Sequence, residues 1–357
     1  MKTIAAFIPV YKQPKNADAL AASLSAEAYE GSEIVIMVDG ETTPEIAPAL
    51  EKVRGLPRVR IIEGVPHMGK AAALYRAVAA SSCDNIIVLD NDVALEPSVK
   101  LFENCSRLLE SNDLVELPKA ATGKGPVAAM MKYEFMSNII GSILVSRKTG
   151  KCPSMNGAAF AVRRRLFVEL KGLSPIINDD TDFAARAMLA GARFVTDPSV
   201  RVLNEVPETP AEWLKQRKRW ATGFGLWSNT YLTKIKKQEP KIARSMALSS
   251  ISFAMPFFTT ALATVMAIIG PGNLGGGLTG ALIVVASFVP FFLYASYFLH
   301  MTTYCGQKFN WIDYLFFALV YSPIWAVAST TGSIAVKLNH IPQLDWIYGA
   351  SKRSKTP

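Results

Sequence analysis

The chain has 357 residues, with 38 Lys and Arg against 29 Asp and Glu, so its formal net charge is +9. Half of the residues are hydrophobic and 19% are charged, which excludes disordered, collagen-like and disulfide-scaffold proteins. The formal charges of residues 1–210 sum to −1, however, whereas residues 211–245 have a net charge of +7 and residues 337–357 a net charge of +3. Because a nucleic-acid-binding domain has its basic surface on the folded domain itself, this distribution argues against nucleic acid as a partner.

The cysteines and the N-terminal residues both indicate a cytosolic first domain. The four cysteines lie far apart and form no CxxC pair, which predicts free thiols in a reducing compartment and no structural zinc. The first residues lack the basic segment, apolar core and small-residue cleavage site of a signal peptide. We therefore expect the N-terminal domain to remain in the cytosol.

Residues 1–210 alternate between β-rich and helical segments. The β-rich runs are TIAAFIPVY (3–11), EIVIMVDG (33–40), RVRIIEG (58–64) and NIIVLDND (85–92). The helical segments between them include ADALAASLSAEAYE (17–30) and KAAALYRAVAASS (70–82). This alternation predicts βαβ units and a mostly parallel sheet, an α/β fold in which ligands bind beyond the carboxyl ends of the strands.

Two of the predicted strands end in carboxylates. Asp90 and Asp92 are two residues apart, so in extended chain both side chains point the same way and can face one ligand. Two such carboxylates suit Mg²⁺ or Mn²⁺ bound together with a substrate diphosphate, since these ions take few protein ligands. A turn after the strand explains the same residues equally well. Asp39 ends an earlier run, where a turn residue is the more common role.

Further along the chain, two segments begin with groups suited to phosphate or proton transfer. Gly69 and Lys70 start a helical run, and a helix N-terminus with an added Lys binds phosphate, although a solvated Lys is the alternative and no GxxxxGK[ST] pattern is present. Residues 178–194 open with Asp179, Asp180 and Asp182 before turning apolar. One of these carboxylates could serve as a general base, and helix capping alone would explain two of them.

The last third of the chain predicts a membrane domain. Residues 212–227 interleave basic residues with Trp, typical of an interfacial helix on anionic lipids. Residues 246–336 carry only two charged residues, and three apolar stretches at about 246–269, 280–300 and 311–336 each reach the roughly 20 residues of a membrane span. The basic residues before the first stretch place that end in the cytosol. Three spans then put the basic tail outside, unless Pro323 divides the third stretch into a re-entrant pair. A soluble helical hairpin is the alternative to a membrane domain.

Together these segments resemble the membrane-integrated family 2 glycosyltransferases, which include cellulose, chitin and hyaluronan synthases and ceramide glucosyltransferase. The family pattern is an Asp, a DxD, a [TE][ED]D and a [QR]xxRW motif, in that order. The corresponding segments here are Asp39, DND (90–92), NDD (178–180) and QRKRW (216–220). IPVYK (8–12), GKAAAL (69–74) and MNGAAFAVRRRLF (155–167) also match, so the resemblance covers about residues 4–225.

The resemblance implies a GT-A fold, Rossmann-like with a mostly parallel sheet, followed by a small α-helical transmembrane domain. It divides the chain into a nucleotide-sugar-binding catalytic domain (1–210), an amphipathic interfacial segment (211–245), about three transmembrane helices (246–337) and a basic tail (338–357). It also implies an integral protein of the cell membrane, with its catalytic domain in the cytosol. A homo-oligomer is compatible with this organisation.

The implied activity is an inverting, metal-dependent transfer of a hexosyl unit from a UDP-sugar to a lipid-linked or growing glycan acceptor. The implied catalytic residues are Asp180 as general base, Arg219, which steadies the leaving diphosphate, and Gln216. Asp92 would hold Mg²⁺ or Mn²⁺. Asp39 would contact the nucleotide base of the donor, Lys70 its diphosphate and Asp90 its nucleotide. Trp220 would contact the acceptor sugar. The full set of implied substrate contacts is Pro9, Tyr11, Asp39, Gly69, Lys70, Asp90, Asn156, Gly157, Asp179 and Trp220.

Two departures from the family pattern leave alternatives open. The acidic motif reads NDD, so that Asp182 competes with Asp180 as the base. The predicted membrane domain is small for a polymer channel, which favours a short product or a lipid acceptor over a processive polysaccharide synthase. A non-catalytic membrane protein that binds nucleotide sugar or scaffolds a partner is a third interpretation.

Overall fold

The computed structural model describes residues 2–96 and 99–337. The central sheet has seven strands in the order β3-β2-β1-β4-β8-β6-β9. These strands are β1 (Ile4–Val10), β2 (Ser32–Val38), β3 (Val59–Ile62), β4 (Asn85–Leu89), β6 (Leu114–Glu116), β8 (Ala159–Arg163) and β9 (Phe194–Thr196). All neighbouring pairs are parallel except those that β8 makes with β4 and β6. The prediction of a mostly parallel sheet is confirmed.

A smaller sheet lies beside the main one. It consists of β5 (Val93–Leu95), β7 (Lys119–Thr122) and β10 (Val202–Glu205), with β10 in the middle. Because β5 starts directly after Asp92 and β7 starts at Lys119, this sheet fixes two segments that line the site described below.

Helices cover both faces of the main sheet, which explains why its strands are apolar in nearly every position. On β1, Ile4, Ala6 and Ile8 belong to one buried cluster, and Ala5 and Phe7 belong to the cluster on the opposite face. The helices of this part are α1 (Ala17–Glu27), α2 (Ala47–Val53), α3 (Lys70–Ala79), α4 (Leu101–Ser111), α5 (Pro126–Thr149), α6 (Arg164–Glu169) and α7 (Asp179–Leu189).

The C-terminal part is helical and contains three segments long and apolar enough to cross a membrane: Met255–Asn273, Gly277–Tyr304 and Trp311–Ala328. Its helices are α8 (Pro210–Gln238), α9 (Pro240–Asn273), α10 (Gly277–Tyr304), α11 (Trp311–Phe316) and α12 (Ser322–Lys337), with a π-helical turn at Phe317–Tyr321. The number of predicted spans agrees with this arrangement.

The third apolar stretch is helical from Trp311 to Lys337 and is not divided at Pro323. That proline is the second residue of α12, directly after the π-helical turn. Because the helix continues through this point, the proline removes one backbone N–H donor inside it, and the π-helical turn lies directly before that position. The predicted basic tail, residues 338–357, lies outside the described residues.

Candidate active site

The predicted site residues collect at the carboxyl ends of three adjacent parallel strands. Tyr11 follows β1, Asp39 follows β2, and Asp90 follows β4. Pro9 lies within β1, two residues before Tyr11. The N-termini of α3 and α7 add Lys70 and the acidic motif to the same edge of the sheet. This edge is where open α/β sheets bind their ligands.

Asp39 is buried and held by the segment that precedes α3. Its carboxylate accepts hydrogen bonds from Met68 N at 2.8 Å and Gly69 N at 3.0 Å, and lies 2.9 Å from Nδ1 of His67. The His67 ring in turn stacks on Tyr11, with a centroid distance of 4.3 Å. A carboxylate has about four acceptor positions, so a hydrogen bond from the nucleotide base to Asp39 would use the remaining one. Gly69 contributes its backbone N–H here.

Lys70 brings two of the motifs together. Its Nζ lies 2.7 Å from Oδ1 of Asp90 and 3.9 Å from Oδ2 of Asp179. Burial lowers the pKa of Lys70, but the charges of Asp90 and Asp179 outweigh this and leave the pKa above its ordinary value. Burial also raises the pKa of Asp179 to about 6. Lys70 is therefore a fixed positive charge at the centre of the carboxylates.

Asp180 lies against the segment that leads into β8. A Cβ atom at Gly157 would be only 2.5 Å from Oδ2 of Asp180, so this close approach requires a glycine at that position. Oδ1 of Asp180 accepts a hydrogen bond from Thr181 N. Burial raises the pKa of Asp180, against the lowering effect of that N–H and of nearby lysines. Burial thus makes Asp180 a stronger base than an exposed aspartate.

Asp182, the competing candidate for the base, is occupied by other groups. Its Oδ2 accepts hydrogen bonds from Ser174 Oγ at 2.6 Å and from Arg186 Nε at 2.8 Å. Its Oδ1 accepts a further hydrogen bond from the hydroxyl of Tyr231. The carboxylate is buried and joins α7 to α8, which favours Asp180 as the base.

Helix α8 passes directly beside the acidic motif. A Cβ at Gly223 would lie 2.0 Å from Oδ1 of Asn178, and Trp227 Nε1 donates to the carbonyl of Thr181 at 3.2 Å. One turn earlier, Arg219 is half-buried; burial lowers its pKa against the charges of Asp180 and Asp179, which raise it. The guanidinium therefore interacts electrostatically with the carboxylates of Asp90, Asp179 and Asp180, as Lys70 does.

Arg217, another basic residue of the motif, is fully buried between α8, α5 and the last helical segment. It forms an ion pair with Glu134 of α5, which also accepts a hydrogen bond from the Tyr321 hydroxyl. Its guanidinium lies 4.1 Å from the centroid of Trp220 and 5.2 Å from that of Trp325. Arg217 thus ties α8 to α5 and to the last helical segment, and it supports the Trp220 ring. Gln216 contacts Arg217, with its Oε1 accepting from Nη2 at 3.3 Å.

Asn156 builds the loop before β8. Its Nδ2 donates to the carbonyl of Leu117 at 2.8 Å, and its backbone N–H donates to buried Glu116, also at 2.8 Å. Its Oδ1 accepts from Ala158 N. The structure therefore gives Asn156 a role in holding Gly157 in place, which the motif match alone did not indicate.

Lys119 is a site residue that the sequence analysis missed. Its Nζ lies 4.4 Å from the ring centroid of Phe135 and 4.8 Å from that of Trp220. Burial lowers its pKa, and the charges of Glu134 and Asp180 act in the opposite direction. A lone Lys after a short strand has no sequence signal, because only the fold brings it next to Trp220.

Asp90 and Asp92 are the carboxylates of this site that could hold a divalent cation. Within the described residues, no three His, Cys, Asp or Glu side chains are arranged to hold a metal by themselves. Asp92 is partly exposed and its Oδ2 lies 2.9 Å from Nζ of Lys15, whereas Asp90 is paired with Lys70. An accessible hard carboxylate at the edge where open α/β sheets bind their ligands fits Mg²⁺ or Mn²⁺, which complete their coordination with water and substrate phosphates.

A comparison with known protein families decides the class of this site. The family model described as Glycosyl transferase family group 2 matches residues 85–327, more than half of the chain. The chain belongs to this family. The resemblance drawn from the motifs is thereby confirmed.

Curated relatives of this glycosyltransferase match over only part of their length. The poly-beta-1,6-N-acetyl-D-glucosamine synthase of Staphylococcus aureus (strain COL) is 22% identical over 227 residues, which are 62% of this chain and 55% of the relative. The probable glucomannan 4-beta-mannosyltransferase 14 of Arabidopsis thaliana is 27% identical over 192 residues, or 50% of this chain and 35% of the relative. The matches thus span about half or less of these relatives.

A solved structure supports the fold over nearly the whole chain. The mannosyltransferase PcManGT from Pyrobaculum calidifontis, in complex with GDP-Man and Mn²⁺, superposes with a TM-score of 0.58. The superposition covers 94% of this chain and 88% of that chain, at 17% sequence identity. The predicted GT-A fold followed by a helical C-terminal part is therefore confirmed.

Proposed function

We propose that this glycosyltransferase transfers a hexosyl unit, with inversion, from a UDP-sugar to a lipid-linked or growing glycan acceptor. Residues 1–210 form the catalytic domain at the cytosolic face of the cell membrane, and residues 211–245 contact anionic lipids. The observation that carries this proposal is the cluster at the carboxyl edge of the sheet, where Lys70 lies between Asp90 and Asp179 and the Asp180 carboxylate packs against Gly157.

The acceptor hydroxyl is activated by Asp180. In a single displacement the hydroxyl oxygen forms a bond to the anomeric carbon, the bond from that carbon to the diphosphate oxygen breaks, and the hydroxyl proton goes to the Asp180 carboxylate. Attack from the face opposite the leaving group inverts the anomeric centre. The buried setting of Asp180, whose pKa is raised, supports this role.

The leaving diphosphate gathers negative charge that Lys70 and Arg219 offset. Lys70 is held by Asp90 and Asp179 before the reaction, so the charge it stabilises costs little reorganisation. Mg²⁺ or Mn²⁺ held by Asp92, when bound, supplies further positive charge on the diphosphate. Trp220, supported by Arg217 and Lys119, offers a ring against which an acceptor sugar can stack.

The test is nucleoside diphosphate release by the purified protein in detergent with Mn²⁺, using a panel of UDP-sugars and GDP-mannose. We expect turnover with a UDP-sugar, and a product whose anomeric configuration is inverted by NMR. Arg219→Met should lower the rate about 100-fold, whereas Lys218→Met, an exposed neighbour on α8, should leave it unchanged. Turnover with GDP-mannose alone would contradict the donor assignment, and retention of configuration would contradict the mechanism.

The names of the relatives favour repeated transfer as a second candidate function. Product mass distinguishes the two: one added hexose indicates single transfer, and a ladder of hexose increments indicates a processive synthase. No release from any donor, by protein that retains its fold and binds nucleotide, would instead support the non-catalytic interpretation.

A further inference from the structure

The loop that joins β1 to α1, residues 11–16, lies across both ends of the donor site. At one end Tyr11 stacks on His67, with an interplanar angle of 13°, and His67 contacts Asp39. At the other end the Lys15 ammonium pairs with Asp92. This six-residue segment thus contacts Asp92, proposed to hold the metal, and His67, the neighbour of Asp39, which is proposed to bind the nucleotide base.

Three interactions fix the end of this loop that lies next to Asp92, the residue proposed to hold the metal. Besides the contact between Lys15 and Asp92, the backbone N–H of Asn16 donates to the carbonyl of Asn91 at 2.8 Å. The Asn91 side-chain amide donates to the carbonyl of Gln13, also at 2.8 Å. Asn91 and Asp92 both belong to the DND segment (90–92), so the position of the loop depends on the conformation of that segment.

The loop backbone is strained in the conformation that makes these contacts. Lys15 has φ of 44° and Lys12 has φ of 59°, in the left-handed region that residues with a side chain rarely adopt. Such a conformation persists only where surrounding contacts compensate for it. Removing the ion pair at Lys15 should therefore loosen the loop.

We propose that Lys15 is a positioning residue whose ammonium occupies Asp92 until a divalent cation displaces it. The displacement releases the loop of residues 11–16. It thereby links the metal site at Asp92 to the nucleotide-base contact at Asp39. An ammonium and a divalent cation repel each other strongly at one carboxylate oxygen, so they cannot share Oδ2 of Asp92. The inference rests on the proposed function in one respect, the assignment of the metal to Asp92.

The first test measures Mn²⁺ alone binding to the full chain in detergent, by the EPR signal of free Mn²⁺ and without any donor. Lys15 and Asp92 are 49% and 36% exposed, so their pair is of the weak, solvent-screened kind. Losing this competitor in Lys15→Met should tighten Mn²⁺ binding about two- to fivefold. Lys15→Arg keeps the charge and should retain the wild-type affinity. Lys52→Met removes a comparable exposed pair, Lys52–Asp18 at 2.8 Å, and should also change nothing.

The outcomes separate this inference from the proposed function. Asp92→Asn should abolish Mn²⁺ binding; if it binds Mn²⁺ as the wild type does, the metal assignment itself is wrong. If Asp92→Asn loses Mn²⁺ while Lys15→Met binds with unchanged or weaker affinity, the metal assignment stands and the role of Lys15 is refuted.

The second test follows the loop by hydrogen exchange of peptides that cover residues 11–16. Adding Mn²⁺ to the wild type should accelerate exchange at Asn16, whose N–H is bonded to Asn91. In Lys15→Met the exchange should be faster than in the wild type without Mn²⁺ and should respond less to Mn²⁺. Equal exchange in the wild type with and without Mn²⁺ would overturn the proposed release of the loop.

Discussion

The substitution Gly157→Ala tests the geometry of the proposed base without changing any ionisable group. The new Cβ would lie 2.5 Å from Oδ2 of Asp180 and 2.8 Å from its Cβ and Cγ atoms. Ordinary van der Waals contact begins near 3.4 Å, so the carboxylate has to move by about 0.9 Å, and a displacement of this size costs about 100-fold in rate. Gly157 has no left-handed φ, so the effect is steric.

The assay for Gly157→Ala is the rate of nucleoside diphosphate release at saturating donor and acceptor. We expect kcat to fall about 100-fold, with donor binding unchanged because Lys70 and Asp90 do not move. Gly55→Ala is the matched control, since no heavy atom lies within 4 Å of a Cβ there, and its kcat should equal that of the wild type. A kcat for Gly157→Ala within about threefold of the wild type would refute the proposed placement of the base.

Three further predictions concern the groups around the base. Lys119→Met removes a positive charge that lowers the pKa of Asp180, so the acidic limb of the kcat/KM profile should move to higher pH; a shift to lower pH would contradict this. Glu134→Gln leaves Arg217 buried without its partner and should reduce the free energy of unfolding by about 3–5 kcal/mol, measured by thermal denaturation; an unchanged midpoint would refute this. Asp182→Asn should lower thermal stability while kcat at 25 °C stays near the wild-type value, and a loss of kcat comparable to that of Asp180→Asn would make Asp182 the base.

Much of the fold could be predicted because it follows from local patterns. Continuous apolar runs such as residues 86–89 predict strands buried on both faces, and the edge where Asp39 and Asp90 follow their strands is set by parallel topology. The three apolar helices were predictable from length and lack of charge. The antiparallel insertion of β8 was not, because strand order depends on long-range pairing.

The site was predictable to the extent that its residues fall in short motifs. The family resemblance implied roles for Asp180 and Arg219, but it could not show that Arg217, two residues before Arg219, turns away and is buried against Glu134. Lys119 and Lys15 carry no motif, and they reach the site only through the pairing of β7 and the path of one loop. Contacts between distant segments decide such positions, and a single sequence does not encode them in any local pattern.

The proposed mechanism depends on removal of the acceptor hydroxyl's proton by Asp180. The most direct measurement is the single-turnover rate of glycosyl transfer by Asp180→Asn, with donor binding measured on the same preparation. We expect a rate lowered by about 10²- to 10⁴-fold with donor affinity retained. A wild-type transfer rate in the folded Asp180→Asn protein would contradict it.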